Sequence, residues 1–160
     1  MPPEEVFPAI EVSQDFLHNR EPLIAGLMQT FSEMSHADRA LNDREVIAAL
    51  VNMANSYRTL VNSGLVYDEV ASNPAQQAII EVLRKRLQEF REVEQQHLGY
   101  TALKDADVLK ALVFLLRLAA THTSGRPRSR AFLDFLRIQF AGPQPSAGAA
   151  EEPVGRIIMP

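Results

Sequence analysis

Residues Asp105–Thr123 read DADVLKALVFLLRLAATHT. At the helical repeat of about 100° per residue, their apolar side chains cover nearly the whole circumference. Val108, Leu109, Leu112, Val113, Leu115, Leu116, Leu118 and Ala119 leave one narrow polar line, marked by Lys110, Arg117 and Thr121. A helix this apolar needs other helices around most of its surface. The reading is therefore an all-α, single-domain helical bundle built around this segment. Two basic residues interrupt the segment, and its apolar run falls short of the roughly 20 residues a bilayer requires, so no membrane association is expected.

Working outward, the flanking segments carry narrower stripes. From Asn42 or Asp43 to about Asn62, Val46, Ile47, Leu50, Met53, Ala54, Tyr57, Leu60 and Val61 share one face, with Asn42 as a cap and Gly64 as the terminator. An earlier helix is expected from about Asn19 or Glu21 to Ser35, with Pro22 in its first turn. Asn73–Pro74 supplies a cap and first-turn pair for a helix reaching His97 or Leu98 and closed by Gly99. Asp105 or Asp107 opens the central helix and Gly125 closes it. A last helix is expected from Pro127 to about Phe140. These are five main helices, preceded by an irregular arm in which Pro2, Pro3 and Pro8 forbid a regular helix. Residues 1–141 are read as the bundle domain. Residues 142–160 are read as a flexible Pro/Ala/Gly-rich tail ending in the apolar VGRIIMP.

Composition narrows the function classes. The chain has 160 residues, 46% of them hydrophobic, enough to bury a core. A net charge of −4 argues against a general nucleic-acid binder. The absence of cysteine removes disulfides, thiolate catalysis and Cys-ligated metals. MPPEEVFPAIEV lacks the basic and apolar runs of an export signal, so a cytoplasmic location is expected. No P-loop, G-x-G-x-x-G, H-E-x-x-H or G-x-S-x-G occurs, and neither catalysis nor a cofactor is expected.

Four features stand out as candidate sites. Glu94-x-x-His97 and Glu33-x-x-His36 have the i, i+3 spacing that resembles the ferritin-like di-iron family. That family implies a further inward Glu on each of two other helices. Here Glu45 falls in a first turn and the central helix has no carboxylate after Asp107, so no metal is expected. Arg86 lies on the inner side of its helix two turns before Glu94. Arg86, Glu94 and His97 are therefore expected to form a buried polar network, since a buried guanidinium needs a carboxylate.

The third feature is Ser124–Arg130, SGRPRSR. Arg126, Arg128 and Arg130 surround the expected start of the last helix, where free amides and the helix dipole favour anions. With Arg117 and Arg137 against Asp134, Arg117–Phe140 carries about +4 on an otherwise acidic chain. Gly125–Arg128 resembles the core of an AT-hook, but Ser124 replaces the leading basic residue, and no nucleic-acid partner is expected. The fourth is His122, near the end of the central helix. Together these give two functional readings. One is a protein–protein interaction or scaffold module without catalysis, with self-association to a homodimer as one form of it. The alternative is a binder of a small ligand or anion, extending to an enzyme, with its site at Arg126, Arg128, Arg130, Arg117 and His122.

Overall fold

The computed structural model describes residues 7–66 and 73–140. The expected tail at 142–160, the connector residues Tyr67 and Val70, and the first prolines of the arm lie outside them. The described residues form six α-helices and no strand. These are α1 (Gln14–Asn19), α2 (Glu21–Ala37), α3 (Asp43–Ser63), α4 (Pro74–Leu98), α5 (Asp105–His122) and α6 (Ala131–Phe140).

Helix α5 is the central element that its sequence requires. Val108, Leu109, Ala111, Leu112, Val113, Leu115, Leu116 and Ala119 are all buried. A fully buried Leu or Val contributes about 1.5–3 kcal/mol by removal from water, so this helix supplies a large share of the core. It packs most extensively on α3, and also on α2 and α6, whereas α4 lies against α3 and α2 instead. Its polar line is partly covered, with Lys110 and Arg117 half-buried and Thr121 exposed. The Arg117 guanidinium donates to the carbonyls of Phe7 (3.0 Å) and Ile10 (2.7 Å), fastening the described part of the arm. Lys110 lies 5.6 Å from the Phe16 ring centroid, within cation–π range.

Helix ends follow the local chemistry. Asn42 and Asn73 accept from the amides of Glu45 and Gln76, and Gly64 and Gly99 adopt the left-handed conformation that closes α3 and α4. Three details differ from expectation. The helix with Pro22 in its first turn begins at Glu21 as read, but a short helix not expected from the sequence, α1, precedes it and is broken from α2 at Arg20, and α5 ends at His122 with Thr123 as its cap rather than at Gly125. Pro22 has no N–H for the His18 carbonyl and its ring clashes with that group, so the chain turns there and restarts. Ser13 caps the short α1 by accepting from the amide of Phe16.

The last difference is the start of α6, at Ala131 rather than Pro127. The amide of Ser129 donates to the carbonyl of Arg126 (3.0 Å), so residues 126–129 make a turn with Pro127 in its second position. A fixed φ near −65° suits that position as well as it suits a first helical turn, and the sequence alone does not separate the two. The carbonyl of Arg130 then accepts the first α6 bond, from the amide of Asp134.

Candidate functional site

The junction where the ends of α2, α3 and α6 meet holds most of the expected anion-binding residues, and it closes on itself. Asp43, the first residue of α3, is 1% exposed. Its carboxylate accepts from the Ser129 hydroxyl (2.9 Å) and from the amides of Phe132 (3.1 Å) and Leu133 (3.3 Å). Its own amide donates to the carbonyl of Ser129 (2.8 Å). Ser129 Oγ also accepts from the amide of Ala131 (3.2 Å). All three first-turn amides of α6 are thus occupied. The anion that this helix N-terminus attracts is a carboxylate of the chain itself.

The arginines divide accordingly. Arg130 reaches back to the end of α2, donating to the carbonyls of Ser35 (2.9 Å), Asp38 (3.3 Å) and Arg39. A cation at a helix C-terminus satisfies carbonyls that have no partner within the helix. Arg117 holds the arm. His122 is half-buried, its ring stacked on Phe135 with centroids 3.8 Å apart and planes at 12°. Arg126 and Arg128 alone of this group remain exposed. The five residues therefore do not converge on a common anion.

The expected network of Arg86, Glu94 and His97 is corrected as well. The three do not meet. Glu94, with its side chain 10% exposed, belongs to a cluster centred on Arg20. Arg20 donates to Glu94 Oε2 (3.3 Å), Asp107 Oδ2 (3.1 Å) and the carbonyl of Ala102 (3.1 Å). Glu94 Oε1 accepts from the amide of Leu103 (3.0 Å), and Asp107 Oδ2 also accepts from that of Lys104 (3.2 Å). This cluster ties the α1–α2 break to the α4–α5 connection. His97 is exposed, and so are Glu33 and His36. Among the described residues no group of three or more His, Asp or Glu is placed to hold a metal ion. Arg20 was invisible in the sequence because it sits at a helix break, with no periodic face to mark it as inward.

Arg86 lies instead on the rim of a groove between α2 and α4. It pairs with Glu33 across the groove (3.1 Å) and lies 3.9 Å from Glu89 on its own helix. The groove has a volume of about 280 Å³. Leu23 and Leu27 of α2 and Phe90 and Val93 of α4 give it an apolar lining, with Gln29, Glu33, Arg86 and Glu89 around it. Val93 is 51% exposed, unusual for a valine in mid-helix. Gly26 opens the α2 wall, and a Cβ built there would meet no heavy atom within 4 Å. The signals in the sequence were Gly26 inside a helical stripe and a glutamate on each wall facing one arginine. They became a site only when α2 and α4 were laid side by side.

No helix among the described residues is long and apolar enough to cross a membrane. No protein-family model, curated protein or solved structure matches the chain.

Proposed function

We propose that this chain is a non-catalytic interaction module whose recognition surface is the α2–α4 groove. Its partner is a short protein segment presenting two or three bulky aliphatic side chains flanked by charges of both signs. The observation that carries this reading is the groove itself: an apolar lining drawn from two helices and left open to solvent at Gly26 and Val93, whereas the other exposed apolar side chains of the described helices, Val61, Leu98 and Ile138, line no part of it. The rim supports the second half of the specification, since Glu33, Glu89 and Arg86 offer partners for a basic and an acidic flank. Exposed ion pairs of this sort direct register and choice of partner more than they add affinity. An anion site at the α6 N-terminus is the weaker reading, because Asp43 already fills it.

The test is a selection of random peptides on the full chain, with Gly26→Leu as the counter-target. A leucine at that position has open space to enter and fills the groove without displacing core atoms. Enriched peptides should carry an aliphatic cluster and should bind Gly26→Leu much more weakly. Enrichment indifferent to Gly26→Leu, or none at all, removes the groove from consideration.

A further inference from the structure

Resting on that reading, we infer that the groove's occupant is a segment of the same chain, Glu151–Met159, EEPVGRIIM, bound in cis. Two observations and one physical argument point to it. First, this segment has the chemistry that the groove selects. Ile157, Ile158 and Met159 are contiguous bulky apolar residues, Arg156 precedes them, and Glu151 and Glu152 stand a few residues earlier. On the rim, Glu33 and Glu89 complement Arg156, and Arg86 complements the two acids. Pro153 and Gly155 disfavour a helix there, so the segment enters as an extended peptide with adjacent side chains on opposite sides.

Second, the reach is sufficient. The seventeen residues from Ala141 to Ile157 can span at most about 60 Å. A folded body of this size is roughly 35 Å across, taking a compact domain's radius of gyration as about 14 Å. The starting point also helps. The segment departs from α6, and α6 packs on α2, which forms one wall of the groove. Third, tethering raises the effective concentration to about the millimolar range, so a contact too weak to hold a free peptide is populated in cis. The segment then acts as an internal competitor that an outside partner must displace, which sets a threshold for partner binding.

The absence of cysteine permits a direct test on the full chain. Ala150→Cys, carrying a nitroxide spin label, is examined by the broadening of backbone amide signals. Docking in cis predicts a severalfold loss of intensity at residues 26–33 and 89–93, unchanged on dilution. The loss should disappear when Ile157→Asp and Ile158→Asp are introduced together, and also with Gly26→Leu. A mixed sample, isotope-labelled chain without the nitroxide plus unlabelled chain with it, separates the source. Broadening of the same residues that persists in the mixture means a second copy supplies the segment, and it overturns the cis proposal. Uniform weak broadening, or broadening on another face, overturns it too. If peptide selection still returns Gly26-dependent binders, the groove reading survives the loss of this inference; if both fail, both fall.

Discussion

At the α2–α3–α6 junction, the Asp43 carboxylate is enclosed and accepts three hydrogen bonds from residues of the same chain. Along the α2–α4 groove, Arg86 and Glu33 face each other with side chains 48% and 54% exposed, above an apolar lining that nothing among the described residues covers. Both regions were built from the same materials: ends or faces of helices, arginines and carboxylates. The difference lies in what the charges address. At the junction they point at backbone groups left over by helix termini, and the first three amides of α6 and the carbonyls of Ser35, Asp38 and Arg39 find their partners inside the molecule. In the groove they pair with each other at a solvent-exposed rim. A charged cluster therefore signals a binding surface only once the backbone's own demands have been subtracted.

The largest expected effect breaks the junction. Asp43→Ala leaves the amides of Phe132 and Leu133 and the Ser129 hydroxyl without their acceptor in a buried place. At about 1–3 kcal/mol for each unsatisfied group, partly relieved by relaxation, the loss should be about 3–5 kcal/mol by chemical denaturation. Asp43→Asn keeps one oxygen acceptor and should cost markedly less. A loss below about 1 kcal/mol for Asp43→Ala would mean that α6 does not depend on this cap.

Next is the Arg20 cluster, which resembles the junction more than the groove. Arg20→Met preserves much of the side-chain stem but leaves Glu94 and Asp107, 10% and 21% exposed, without their shared cation. Removing one partner from a buried pair costs about 3–5 kcal/mol; these groups retain some solvent, so about 2–3 kcal/mol is expected. Combining Arg20→Met with Glu94→Gln should recover part of it, which a double-mutant cycle measures directly.

These two sites also show what the sequence can disclose. Helix α5 was legible because nearly continuous apolar coverage has one structural solution. The caps at Asn42, Asn73, Gly64 and Gly99 were legible because they are local, satisfied within four residues of themselves. Asp43 was legible as part of a helix start, but its second task is 89 residues away at Phe132, and no periodicity encodes it. The same limit misplaced Arg86. Its position on the helical wheel lies near the edge of the inner stripe, and whether that edge is buried depends on how closely α2 approaches. Here the two helices part enough to leave the groove, so Arg86 remains wet and Glu94 is claimed by Arg20.

A third substitution sharpens the comparison from the groove side. Gly26 sits in mid-helix with open space where a Cβ would go, so nothing in its surroundings requires a glycine. Gly26→Ala should stabilise the protein by about 0.5–1 kcal/mol, because glycine is the costlier residue in a helix interior. The corresponding rise in melting temperature is roughly 2 °C for a chain of this length. A gain in stability together with weaker peptide binding would show that the opening at Gly26 serves recognition and opposes folding. A loss of stability would mean that α2 needs the glycine for its own geometry.

The smallest expected effect is the most discriminating. Arg86→Gln removes the one cation on the groove rim, yet the pair it breaks is solvated on both sides. Surface pairs of this kind contribute about 0–1 kcal/mol, so the melting temperature should shift by no more than about 4 °C. Its effect should fall on recognition: a segment with an acidic flank loses its counter-charge, and the relaxation in binding should weaken as salt is raised. If Arg86→Gln instead destabilised the fold as strongly as Arg20→Met, the rim would be a second internal network like that around Arg20. The contrast between closed junction and open groove would then collapse.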